Sequence, residues 1–91
     1  MGFFMKTLVH TATITVYDRD VAYQQINELL HHYAKNILLR VGYPMPDRNV
    51  AIIFLILKMT TDELGAMSGK LGQVENVKIK TTTLKVAAHN A

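Results

Sequence analysis

The chain of 91 residues is 49% hydrophobic and 19% charged, with a net charge of +3; this suits one small globular domain and excludes the polar, highly charged composition of a disordered chain. The lack of cysteine removes disulfides, thiolate metal sites and thiol nucleophiles together. A domain this small buries only about 60–65% of the surface its unfolded chain exposes, so it must pack efficiently or lean on a partner chain.

Residues 7–17 read as a strand, dense in Thr, Val and Ile, whose better core face is Leu8, His10, Ala12, Ile14 and Val16. Asp18-Arg19-Asp20 supplies a turn and a carboxylate expected to cap the following helix. Ala22, Ile26, Leu29, Leu30, Tyr33 and Ile37 then recur at helical spacing, with Asn36 expected to end the helix in a left-handed conformation. Residues 37–43 read as a short strand and 44–49 as a loop, because Pro44 and Pro46 oppose both helix and ladder pairing.

Residues 50–59 give the strongest strand signal, apolar on both faces, as in a central strand covered on two sides. Thr60 and Glu63 stand at capping-box spacing before a helix lined by Leu64, Met67 and Leu71, with Gly72 as its expected stop. A last strand over residues 77–86 sets Val77, Ile79, Thr81 and Thr83 against Lys78, Lys80, Thr82 and Leu84, and lysine on one side suits a sheet edge. Residues 87–91 are expected to fray, and Phe3 and Phe4 to be loose or docked on a neighbour.

The order strand, helix, strand, strand, helix, strand specifies an α+β, ferredoxin-like βαββαβ domain over residues 1–91, with its core at about 7–86. Its antiparallel four-stranded sheet carries both helices on one face, with the first and third strands central. Two helices roof one face only, yet the third strand is apolar on both. Ile53 and Leu55, or their alternates, would therefore form an exposed patch. Association of subunits hides it economically; the alternative is that the Phe3-Phe4 segment or the carboxyl tail folds across.

Chemistry-bearing motifs are few. The ten Lys and Arg are scattered rather than gathered, which argues against direct nucleic-acid binding. His31 and His32 are adjacent and cannot form an i, i+4 metal pair, His89 lies in the tail, and His10 fits a satisfied core histidine. Ligands donated across an interface stay open. Gly65 to Lys70 fails as a phosphate loop, since its Gly-Lys pair comes one residue early and no Ser or Thr follows. No catalytic constellation, metal site or cofactor is expected.

Two clusters remain. Arg40-Val41-Gly42-Tyr43-Pro44 is either a strand end with an exposed arginine or an anion or partner contact. Ser68-Gly69-Lys70-Leu71-Gly72 signals either tight helix packing or a contact through Ser68 and Lys70. No signal peptide or spanning segment is evident, the longest apolar run being Val50 to Leu57, so a cytoplasmic location with no membrane partner is expected.

With Val16-Tyr17-Asp18-Arg19, Ile26-Asn27-Glu28-Leu29-Leu30-His31-His32-Tyr33 and Val50-Ala51-Ile52-Ile53, these clusters carry a resemblance. The chain, from about Thr13 to Leu84, resembles the small regulators associated with iron-only hydrogenase systems. Their ACT-like fold is similar to the ligand-sensing domain of nickel-responsive repressors. Asn49 stands where a glycine is expected, and the Phe3-Phe4 region is additional.

The resemblance implies an oligomer that holds a small molecule at a subunit interface, near the first strand–helix loop and the second helix. Carried over by residue, it points to Asp18, Arg19, Arg40, Tyr43, Ser68 and Lys70 as ligand contacts. The repressors' metal site does not transfer, because it needs a cysteine, and no DNA-binding domain accompanies the fold. The expectation is a non-enzymatic regulator, assembled as a homo-oligomer (dimer or tetramer), sensing a small anionic ligand or a partner protein. The rivals are an interaction module without ligand and a small enzyme using an interface cavity.

Overall fold

The computed structural model describes residues 6–87. Phe3, Phe4 and His89 lie outside them. Strands β1 (Leu8–Tyr17), β2 (Ile37–Met45), β3 (Val50–Met59) and β4 (Val77–Ala87) alternate with helices α1 (Arg19–His32) and α2 (Thr61–Gly72) in the order expected. They form one antiparallel sheet ordered β2-β3-β1-β4, so the ferredoxin-like arrangement with β1 and β3 central is correct.

The core lies between this sheet and the helices. Ten consecutive pairs join β1 to β3, setting Ala12 against Leu55, Ile14 against Ile53 and Val16 against Ala51. All six are buried, together with Ala22, Ile26 and Leu30 of α1 and Leu64, Met67 and Leu71 of α2. Ile53 and Leu55 are therefore the roofed set of β3, and their alternates Ile52, Phe54 and Ile56 occupy the bare side.

His10 is fully buried at the far end of this layer. Its Nε2 donates to the Met59 carbonyl at 2.8 Å. A carbonyl only accepts, so Nε2 carries the proton, and in the neutral ring Nδ1 accepts from the Thr83 hydroxyl at 2.9 Å. Both ring nitrogens are thus used within the chain.

Four local expectations need correction. Asp18 does not cap α1 with its side chain: it is left-handed at φ 53° with no side-chain cap bond, and its carboxylate accepts from Asn49 Nδ2 at 3.0 Å instead. Asn36 is not a left-handed cap; α1 stops at His32, and a single 3-10 turn over Ala34–Asn36 follows. There Asn36 Nδ2 donates to the Lys58 carbonyl at 3.0 Å, so the residue serves a tertiary tie. Gly72 is the last residue of α2 and Gln73 follows in the right-handed region. Pro44 and Met45 belong to β2, paired with Ala51 and Val50; β2 is an edge strand, where a position facing solvent needs no N–H.

The Thr60–Glu63 capping box is complete, Glu63 N–H donating to Thr60 Oγ1 at 3.1 Å and Thr60 N–H to Glu63 Oε1 at 2.8 Å. The glycine expected at position 49 is also explained: Asn49 has φ 52°, in the region that asparagine tolerates best after glycine. Its backbone carbonyl accepts from Arg19 N–H at 3.1 Å, and the third left-handed residue, Asn76, accepts from Tyr17 N–H at 2.7 Å. All three left-handed residues therefore meet at the end of β1.

Asn49→Val, which forces a β-branched residue into that conformation, is expected to lose about 1–3 kcal/mol. Asn49→Gly, which keeps the backbone and loses only the Asp18 bond, should cost less; urea denaturation of both variants checks the order. His10→Leu should cost about 1–3 kcal/mol by leaving the Met59 carbonyl without its buried donor, read by the same measurement.

Candidate functional site

One helix flank gathers a stripe of polar side chains. Arg19, Tyr23, Asn27 and His31 repeat every fourth residue along α1, which places them in one stripe. The Arg19 guanidinium lies 5.7 Å from the centroid of the Tyr23 ring. From β2, Arg40 reaches up to the same stripe and its Nη2 donates to Asn27 Oδ1 at 2.7 Å. A shallow groove lined by Arg19, Asp20, Tyr23, Gln24, Asn27, Glu28 and His31 shares Asn27 and His31 with a second concavity that includes Arg40. The trough thus has a guanidinium toward each end and carboxylates from Asp20 and Glu28 on its rim. Such a surface suits a ligand offering both an anion and hydrogen-bond donors.

The six residues singled out from sequence divide among three places. Asp18, Arg19 and Arg40 gather at the start and flank of α1, although the Asp18 carboxylate is already engaged by Asn49. Ser68 and Lys70 stand on α2. There Ser68 Oγ donates back to the Gly65 carbonyl at 3.3 Å, and Lys70 Nζ lies 5.9 Å from the Tyr33 ring centroid. Lys70 also lines a groove between the helices with Gln25, Glu28, Leu29, His32, Gln73 and Val74. Added Cβ atoms at Gly65, Gly69 and Gly72 would meet nothing within 4 Å, so tight packing within the chain does not account for these glycines.

Tyr43 stands apart on the opposite side of the sheet, 63% exposed. There it joins Leu39 and Val41 of β2, at 44% and 51% exposure, and Phe54 of β3, at 37%. Register confirms the shared side, since Leu39 pairs with Ile56, Val41 with Phe54 and Tyr43 with Ile52. This apolar ground is contiguous and has no roof among the described residues, a pattern that marks interaction surfaces.

Sequence pattern alone does not single out Tyr23 and Asn27 as contacts, and raises His31 only as a metal ligand, because they interleave with the apolar face of α1. Their four-residue spacing, ending in a residue that Arg40 can reach, was the signal available. Among the described residues no three of His, Asp and Glu gather closely enough to hold a metal ion, and no helix is long and apolar enough to cross a membrane.

The chain can be set beside known proteins. No curated protein matches it. Among solved structures, the uncharacterized protein TM1266 from Thermotoga maritima is 54% identical. It superposes with a TM-score of 0.85 over 88% of this chain and 100% of that one. The ACT domain from GTP pyrophosphokinase of Chlorobium tepidum is 20% identical, with a TM-score of 0.71 over 84% of this chain and 99% of the other. That likeness establishes the ACT-like fold. A solution structure of the same ACT domain agrees, at 21% identity and a TM-score of 0.65 over 92% and 93% of the two chains. The family model described as "TM1266-like: Iron-only hydrogenase system regulator, putative" matches residues 9–81. With most of its length matched, the chain belongs to the TM1266-like family of iron-only hydrogenase system regulators.

Proposed function

We propose that the chain is a non-enzymatic, homo-oligomeric regulatory module, dimeric or tetrameric, that senses a small anionic molecule or a partner protein. The observation that carries this reading is the bare apolar half of the sheet, Leu39, Val41, Tyr43, Ile52, Phe54 and Ile56, which no element of the described chain covers. Each 100 Å2 of such surface hidden from water contributes about 2.5 kcal/mol before the costs of association. Covering that half with a second copy supplies a small domain with core it otherwise lacks.

The ligand contacts in this reading are Asp18, Arg19 and Arg40 at the α1 flank, Ser68 and Lys70 on α2, and Tyr43 on the associating face. A ligand regulates such an assembly only to the extent that it binds one state better than another. Arg40 suits that role because its bond to Asn27 is exposed and can be exchanged for one to an anion without uncovering the core.

Light scattering at micromolar concentration should show a dimer or larger particle, and Phe54→Glu should reduce it to a single chain with an unchanged far-ultraviolet circular dichroism spectrum. A solitary particle for the unaltered chain would overturn the assembly reading. Arg40→Ala should change stability by no more than about 0.5 kcal/mol, as befits an exposed pair, while removing any thermal stabilisation by anionic amino acids or nucleotides. Melting curves that stay flat across those ligands would leave an assembly module that senses nothing.

A further inference from the structure

The bare side of the sheet has two halves of different chemistry. Toward β2 and β3 it is apolar except for Lys58 near the end of β3; toward β1 and β4 it presents hydroxyls and ammonium groups. Thr13 lies directly opposite Lys80, and Thr15 opposite Lys78. Ile14 and Ile79, which pair between them, face the helices, so these four side chains stand on the bare side. The four side chains line one shallow concavity. Opposed residues have Cβ atoms about 4.5–5.5 Å apart, and two positions along one strand are about 6.7 Å apart. Two ammonium groups and two hydroxyls thus converge over a patch that neighbouring phosphate groups can span.

The charge on this side is of one sign. The seven Asp and Glu all lie in helices or in the connections between elements, so among the described residues no carboxylate shares the bare face with Lys78 and Lys80. These two lysines stand on the same side of one strand and repel each other. A face-to-face pairing that sets apolar half on apolar half and basic half on basic half would draw both sets of lysines together while removing water that screens them. Edge protection explains lysine on β4 and strand propensity explains threonine on β1; their pairing at two successive same-face positions is what sets hydroxyls beside ammonium groups.

We infer that Thr13, Thr15, Lys78 and Lys80 bind a diphosphate-class anion, and that its binding promotes pairing of two chains through the apolar half of the sheet. The hydroxyls and ammonium groups donate to the phosphate oxygens, and a multiply charged anion relieves the repulsion that pairing would concentrate. The pairing part rests on the assembly reading given above. Inorganic diphosphate and a nucleoside diphosphate share the chemistry required.

Sedimentation of the full chain compares sodium pyrophosphate, a nucleoside diphosphate and sodium chloride at matched ionic strength, for the unaltered protein and for Lys78→Gln/Lys80→Gln. Amide chemical shifts are mapped in parallel. Pyrophosphate should lower the dimer dissociation constant at least tenfold relative to chloride, the double variant should lose that dependence, and shifts should cluster at residues 13–15 and 78–80. An equal effect of the nucleoside diphosphate assigns recognition to phosphate alone; a larger one adds contacts to the nucleoside, and both uphold the site. A dimer indifferent to the anion, or shifts confined to Arg19 and Arg40, overturns this site and leaves the assembly reading standing. A chain that stays single in every buffer removes the assembly reading and the pairing part together, and the amide map then decides anion binding by itself.

Discussion

Two helices can roof one face of a four-stranded sheet and no more, while β3 is apolar on both. Which set of side chains goes under the roof is decided by strand parity, because a slip of one residue exchanges the two faces of a strand entirely. The ten-pair ladder between β1 and β3 fixes that parity, and its last pair, Tyr17 with Val50, lies where Asp18, Asn49 and Asn76 meet. The side-chain bond from Asn49 to Asp18 and the backbone bonds from Arg19 to Asn49 and from Tyr17 to Asn76 hold that end in place. The bonds at these three left-handed residues thus hold the end of the ladder that sets the buried face. They also leave Ile52, Phe54 and Ile56 on the outside.

The elements were legible because they rest on short-range periodicity. Alternation in β1 and the helical spacing in α1 each separate a buried from an exposed set, and the strand order follows from the sequence of elements. The failures share a different origin. Asp18 and Asn36 have intrinsic preferences that suit a cap, but each has a partner distant in sequence, Asn49 for Asp18 and the Lys58 carbonyl for Asn36; Gly72 simply ends α2 with Gln73 still right-handed. Pro44 misled because the prohibition on proline weakens at a sheet edge, and the element order that puts β2 at an edge was not applied to its proline. On β3 alternation could say nothing, since both sets are apolar; only pairing with the one-sided β1 tells them apart.

The candidate site was harder to read, for geometric reasons. Arg40 and Tyr43 are three residues apart on a strand, an odd separation that sends their side chains to opposite faces of the sheet. A motif that looks like one cluster is therefore two surfaces: Arg40 reaches α1, and Tyr43 joins the bare apolar ground. Lys78 and Lys80 were legible as one-sided charge, but the threonines opposite them come from β1, more than sixty residues earlier. Only the ladder brings them together.

That division gives β2 a position between the two surfaces. Arg40 faces the helices and bonds Asn27, while its neighbours Leu39 and Val41 stand on the bare side. The strand is held by ladder bonds along one side only, because β3 is its sole neighbour in the sheet. Arg40 thus stands on a strand whose other face, among the described residues, is apolar and uncovered. On β4 the arrangement differs, since Lys78 and Lys80 share the bare face with the apolar ground and would act on it through charge alone. In the two proposals the anion would meet different surfaces, the helix side of β2 at Arg40 and the bare side of β4 at Lys78 and Lys80, and salt would screen both.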